Sequence, residues 1–175
     1  MTKALDVLRY IKQNYILLGE VQYQKLLYYV QGWSLAWGGT PMFEDRIEAW
    51  AMGPVVPAVR RYIGDDGHYS LTELERATVD AVVRYYGRFP GSSLIQMTHS
   101  EQPWLDAREG IPEDARSDSE ITHDSMRREF TKQSLQGKGP QRPVSDVFDA
   151  DTDETLAIAA KASRRWSRAL ALMAE

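Results

Sequence analysis

Three histidines, His68, His99 and His123, are the first residues in this chain that could carry acid–base or metal chemistry. None has the spacing of a motif such as HExxH, and a chain without cysteine cannot form a cysteine-containing zinc site. His99, with Ser100 and Glu101 beside it, is the candidate for a catalytic base. We favour instead a histidine that hydrogen-bonds across a helix end, because buried polar groups normally need such partners. We expect His68 and His123 to be solvated.

Carboxylate pairs are a second source of acid–base chemistry, but Glu44-Asp45 and Asp65-Asp66 stand in predicted turns, where solvated side chains are the rule. Gly38-Gly39 follows an apolar helix and precedes Pro41, which reverses the strand–loop–helix order of a phosphate-binding loop. The sequence shows no recognisable combination of a nucleophile with a base, and no recognisable set of metal ligands. We therefore expect a protein that is not an enzyme and that binds neither a cofactor nor a metal.

Aromatic residues between Lys25 and Tyr62 could instead form a binding surface. Three of the five tryptophans lie here, at Trp33, Trp37 and Trp50. Buried tryptophans dominate the energetics of many protein interfaces. A plain aromatic core would have the same composition, so both interpretations stay open at this point.

Composition places the chain among ordinary soluble globular proteins. Of its 175 residues, 43% are hydrophobic and 26% are charged, and the formal net charge is -4. That charge argues against a surface built as a whole for nucleic acid and would suit a basic partner. No apolar run reaches the roughly 18 residues of a membrane-spanning helix. The chain starts in an amphipathic pattern rather than a signal peptide, and it has no cysteine. We expect a cytoplasmic protein without a membrane partner.

Hydrophobic spacing predicts a mainly α fold, a compact multi-helix domain over residues 1–133. A first helix is expected from Thr2 as its N-cap, and Gly19 ends it. A second helix, over about 21–37, is apolar around most of its circumference. A short β segment is predicted near residues 43–52, and a helix from Val55 to Ile63.

Further helices are predicted after the loop that follows. Ser70 and Glu73 fit a capping box at the start of a helix that continues to about Tyr86. Shorter helical patterns follow over 92–99 and 121–133.

The last part of the chain changes character. Residues 134–153 are rich in glycine, proline and aspartate and predict a linker or a surface arm. Residues 154–175 predict a C-terminal amphipathic helix. Its basic face could contact nucleic acid or a partner, although a solvated face is the simpler interpretation at a pI of 5.5. That face carries Lys161, Arg164, Arg165 and Arg168.

Ordered sequence blocks in the first two thirds of the chain resemble a known family. The blocks 24–29, 31–33, 48–50 and 53–56, with Phe43 between them, resemble the signature of the Panacea domain, the SocA-like and phage-associated GepA-like antitoxin family. A later block with Leu94, Thr98-His99, Pro103-Trp104 and Arg108 resembles the same family, and residues 121–130 fit its closing helix. The likeness covers about residues 3–132.

The resemblance implies a non-enzymatic antitoxin that neutralises a cognate protein toxin by direct binding. One branch of the family, typified by SocA, instead delivers its toxin to a cellular protease as an adaptor. Two alternatives come from other classes. One is a DNA-binding autoregulator of its own operon that uses Arg164, Arg165 and Arg168, and the other is a hydrolase that uses His99. A homodimer also stays open.

The family blocks supply the expected partner contacts. They are Lys25, Tyr28, Tyr29, Trp33, Trp50, Gly53, Pro54, Val55, His99 and Trp104. Within this set we expect Trp33 and Trp50 mainly to hold the core and Tyr28 to be exposed at the interface.

Overall fold

Helices dominate the computed structural model, which describes residues 2–62, 64 and 67–144. The mainly α fold class predicted from the hydrophobic spacing is confirmed in this part of the chain. Its helices are α1 (Ala4–Asn14), α2 (Glu20–Gly38), α3 (Glu73–Tyr86), α4 (Gly91–His99), α5 (Gln102–Ala107) and α6 (His123–Leu135). Two short strands, β1 (Glu48–Trp50) and β2 (Gly53–Val55), and a 3-10 turn at Pro57–Val59 complete the described elements.

Helix α2 is the centre of the fold because it is apolar on nearly every side, so that it can only be stable when other elements cover it. Helices α3, α4 and α6 and strand β2 all pack against it. Gly32 lets α6 approach closely, since a side chain there would occupy the space of the Phe130 ring. Gly39, with φ of 71°, ends the helix in the left-handed conformation that glycine adopts readily.

A cluster of aromatic rings forms the part of the core between α2, α3 and α6. Tyr29 stacks on Tyr86 with 3.7 Å between ring centroids, and Trp33 donates its indole N–H to the Tyr86 hydroxyl at 3.1 Å. Tyr28 and Trp33 both meet the Phe130 ring edge to face. The prediction that Trp33 holds the core is confirmed. The prediction that Tyr28 is exposed is wrong, because its exposed fraction is 0%.

Two predicted helix starts are shifted. Helix α1 is capped by Lys3 and not by Thr2, whose hydroxyl instead donates to Glu75 at 2.7 Å. The capping box of α3 pairs Thr72 with Glu75 and not Ser70 with Glu73. Both pairs fit the same four-residue pattern, and the later pair forms both of the reciprocal hydrogen bonds.

The predicted β segment near residues 43–52 is confirmed as β1, but the predicted helix over 55–63 is wrong. The chain turns back after Met52, and β2 pairs with β1 antiparallel, with Glu48 opposite Val55 and Trp50 opposite Gly53. Gly53 adopts φ of 88°, which permits the tight reversal. Ile63 lies outside the described residues.

The contacts group Met1–Pro143 into one compact unit. Gly139 lies against the Trp33 indole and Pro140 is buried. The predicted helix over 154–175, with its basic residues, lies outside the described residues. Every helix in the described part of the chain is too short or too polar to cross a lipid bilayer.

Candidate functional site

The β1–β2 hairpin brings together most of the predicted partner contacts. From α2, the buried Lys25 amine donates to the Pro54 carbonyl at 2.9 Å. Its side chain and the Thr98 hydroxyl of α4 lie directly over the Cα of Gly53, so that no larger residue fits there. From α5, the Trp104 indole donates to the Trp50 carbonyl at 2.9 Å. Three helices therefore fix the backbone of one hairpin.

Lys25 holds the hairpin at an electrostatic cost. Its exposed fraction is only 2%. Burial in this apolar setting lowers the pKa of the Lys25 amine to about 7, because the charged form loses its hydration. The neighbouring Gln24 adds a second bond from α2, accepting from the Val56 backbone N–H at 2.8 Å. Two adjacent polar side chains of α2 thus hold the backbone of β2 and of the residue that follows it.

His99, at the end of α4, packs its ring against Trp104 at 4.0 Å between centroids and 12° between planes. Its Nδ1 lies 3.1 Å from a carboxylate oxygen of Glu113. The interpretation of His99 as a hydrogen-bonding histidine at a helix end is confirmed. Ser100, the neighbouring hydroxyl, donates to the Met97 carbonyl at 2.7 Å and makes no hydrogen bond to His99.

Arg108 is a residue whose role the sequence did not predict, although it stands in a block that resembles the family. It is buried, and its guanidinium donates to the Ala49 carbonyl of β1 at 2.8 Å. The other terminal nitrogen donates to carbonyls of Pro112, Glu113 and Ala115. Arg108 therefore fastens the loop after α5 to the hairpin. The sequence gave no indication of this role, because the carbonyls that Arg108 binds are not marked by any residue type.

A groove of about 410 Å³ lies between the hairpin and that loop. We call it the hairpin groove. It continues past Ala51 and Met52 to Glu113 and Asp114. The residues that line its main part are Glu48, Trp50, Ala51, Met52, Val55, Arg60, Asp114, Arg116, Ser117 and Asp118.

Trp50 lines the hairpin groove and is not part of the buried core, so the prediction that it mainly holds the core is wrong. Its indole N–H donates to the Glu48 carboxylate at 2.7 Å, and the Arg60 guanidinium lies 4.5 Å from its ring centroid. Glu48 in turn pairs with Arg46 at 3.2 Å. The ring is therefore partly exposed and held in one orientation.

Tyr28, Tyr29 and Trp33 lie in the core and are not available at the surface of the folded domain. The hydroxyls of Tyr28 and Tyr29 make no hydrogen bond, and neither does one carboxylate oxygen of Glu101. Burial raises the pKa of Glu101 to about 7, and the nearby tyrosine hydroxyls and Gln133 partly oppose that rise. The two hydroxyls therefore lie near the Glu101 carboxyl but do not hydrogen-bond to it. Contact of Tyr28, Tyr29 and Trp33 with a partner remains a prediction.

His123 is not simply solvated as predicted, because its Nε2 lies 2.9 Å from the side-chain nitrogen of Gln31. The Gln31 oxygen accepts from the backbone of Met42 and Phe43, which fixes the amide orientation and makes His123 Nε2 the acceptor. In the described part of the chain, no three His, Asp or Glu side chains are grouped so that they could hold a metal ion.

Comparison with protein families finds one match to this region. Residues 23–105 match the family model described as antitoxin SocA-like, Panacea domain. That segment contains α2 from its second turn onward, the hairpin and most of α5, and with them every expected partner contact from Lys25 to Trp104. Comparison with curated proteins finds no match. Comparison with solved structures finds none either. Over residues 23–105, this chain is similar to the Panacea-domain antitoxin family.

Proposed function

We propose that this protein is an antitoxin that binds a cognate protein toxin directly and masks it, with no enzymatic activity of its own. The similarity of residues 23–105 to the Panacea domain supports the antitoxin role in general terms. The hairpin groove is the observation that supports direct binding, because it offers a partly exposed tryptophan, a methionine and two arginines on a rigid support. Aromatic residues, Met and Arg are the types enriched where proteins bind one another.

Met52 is the side chain that best identifies the groove as a contact surface. It sits in the two-residue connection between β1 and β2, and its exposed fraction is 59%. The backbone on either side is tied to α2 and α5 by Lys25 and Trp104. Because the backbone beneath Met52 is already held, covering this apolar tip costs little backbone entropy, which favours binding.

The geometry at His99 supports a binding protein over a hydrolase. The ring packs flat on Trp104 with Nδ1 against Glu113, and Nε2, the nitrogen left for a base, is buried without a hydrogen-bond partner. The nearest hydroxyl in sequence, Ser100, is bonded to a backbone carbonyl. A nucleophile activated by a histidine requires a hydrogen bond between the two, which this corner does not provide.

Co-expression of the full chain with the product of the adjacent open reading frame tests the proposal. Met52→Asp should abolish protection of growth, because it places a charge on the apolar part of the groove. Leu74→Asp is the matched control, since Leu74 is 54% exposed on α3, away from the groove-lining residues. Thermal melts of both purified variants establish that each is folded. Full protection by folded Met52→Asp, or a neighbouring product that is not toxic, would overturn the proposal.

Toxin half-life distinguishes masking from delivery to a protease. Direct masking leaves the toxin in the cell, bound and inactive, so its level after translation is stopped should match that of an inactive toxin mutant expressed alone. An antitoxin-dependent fall in toxin level would instead identify the adaptor mechanism. The alternative of DNA-binding autoregulation rests on Arg164, Arg165 and Arg168, which lie outside the described residues.

A further inference from the structure

One wall of the hairpin groove is formed by a loop with an excess of negative charge. The loop between α5 and α6 carries five carboxylates and one arginine over residues 109–120, and we call this segment the acidic loop. All five carboxylate side chains belong to exposed residues. They are Glu109, Glu113, Asp114, Asp118 and Glu120.

Hydrogen bonds hold the backbone of the acidic loop beside the hairpin. Arg108 binds three of its backbone carbonyls. Arg46 donates to the Asp118 carbonyl at 2.9 Å, and the Ala49 N–H of β1 donates to the Ser119 carbonyl at 2.8 Å. The backbone of the acidic loop is therefore fixed, and its five carboxylates outnumber Arg116, the one cation among them. An excess of negative charge beside an apolar surface creates a local field that selects the charge of whatever binds.

Not all charges around the groove are available to a partner. Glu48 is paired with Arg46, and Glu113 contacts His99. Among the described residues, Asp114 and Asp118 have no ion-pair partner, although both line the groove. A partner that covered them without supplying a cation would have to desolvate unpaired carboxylates, which is costly.

Resting on the proposed function, we infer that the hairpin groove receives a Lys/Arg-rich segment of the toxin. An apolar side chain of that segment lies on Trp50 and Met52, and its cations pair with Asp114 and Asp118. The net charge of -4 on the whole chain acts in the same direction at longer range. Two arginines, Arg60 and Arg116, also line the groove. The Arg60 guanidinium lies over the Trp50 ring, and Arg116 is outnumbered by the carboxylates of its own loop.

Binding of the purified full chain to the purified toxin, measured at low and at high salt, tests the inference. The double variant Asp114→Asn with Asp118→Asn should bind about tenfold more weakly at low salt, mainly through slower association, because rim charges act chiefly on encounter. Its affinity should also depend less on salt than that of the wild type. The matched control Glu44→Gln with Asp106→Asn removes two exposed carboxylates elsewhere and should leave binding within about twofold.

A benzophenone amino acid at position 52 identifies the toxin segment in the groove. Its photo-crosslink should map to a Lys/Arg-rich segment, and a crosslink to an acidic or uncharged segment would overturn the inference. Unchanged affinity of the Asp114/Asp118 double variant would overturn it too, while toxin binding itself would still support the proposed function. If the wild type fails to bind the toxin, the proposed function fails. A dimer of the free chain that Met52→Asp dissociates would assign the groove to a second copy and overturn the inference.

Discussion

Replacing Glu101 with glutamine should stabilise this domain near neutral pH and remove most of its loss of stability between pH 5 and pH 8. Glu101 is 7% exposed and faces the hydroxyls of Tyr28 and Tyr29 from the start of α5, with Gln133 of α6 as its hydrogen-bond donor. The carboxylate form is therefore poorly solvated in the folded protein. Glutamine keeps the shape and acceptor oxygen of the side chain without the charge.

The magnitude follows from the difference between the folded and unfolded pKa values of this carboxyl. Burial raises the pKa of Glu101 to about 7 from its ordinary value of 4.5. Because the folded state keeps its proton to higher pH than the unfolded state, stability is greatest at low pH and falls as pH rises through this window. A tenfold difference in acidity corresponds to about 1.4 kcal/mol, so the wild type should lose about 2 to 3 kcal/mol between about pH 5 and pH 8 through this group.

Urea denaturation of wild type and Glu101→Gln at both pH values measures the effect as a difference between the two proteins, which cancels the other titrating groups. Glu44→Gln, which changes an exposed glutamate in the turn before β1, is the control and should follow the wild type. If the difference between Glu101→Gln and wild type is the same at both pH values, the reasoning about the buried carboxyl is refuted.

Three further changes test other parts of the structure. Lys25→Met should flatten a rise in stability of about 3 kcal/mol between about pH 7 and pH 9.5, because burial lowers the pKa of the Lys25 amine to about 7 and the unfolded chain holds that proton longer. Urea denaturation at the two pH values checks this prediction. A variant whose free energy of unfolding still rises with pH as in the wild type would contradict it. Gly32→Ala should lower stability by about 1–3 kcal/mol, since its methyl group would overlap the Phe130 ring, and an unchanged melting temperature would argue against that packing. Arg108→Met should make a glutamyl endopeptidase cut the acidic loop at least about tenfold faster, because several buried hydrogen bonds to the loop are lost. Equal cleavage rates would show that Arg108 does not restrain the loop.

Helical spacing located α1 and α3, in which one face of the helix is apolar, and glycine predicted where α2 ends. The predicted end of the first helix at Gly19 is wrong, because α1 ends at Asn14 and Gly19 caps the start of α2. Helical spacing failed for Tyr28 because α2 is apolar all round, and periodicity then does not show which side chains other helices cover. Strand β2 was missed because Gly53 and Pro54 normally break strands. Here Lys25 and the pairing with β1 hold that backbone extended, and the Lys25 contact joins residues distant in sequence.

The supporting part of the candidate site could be predicted from the sequence, but the contact surface could not. Lys25, Gly53 and Trp104 stand in ordered blocks, and the structure places all of them at the hairpin. Met52 and Arg116 come from two separate loops and follow no spacing rule, so only the folded chain shows that they line one groove. Arg108 also needed the structure, since its role depends on carbonyls that the sequence does not mark.

Hydrogen–deuterium exchange of the full chain, alone and in complex with the toxin, tests the central claim most directly. If the hairpin groove is the toxin-binding surface, exchange should slow on binding at the hairpin connection around Met52 and in the acidic loop. The exposed connection between α1 and α2, at Ile16 and Leu18, should exchange at the same rate in both states. Protection of that connection, with the hairpin and the acidic loop unchanged, would contradict the account.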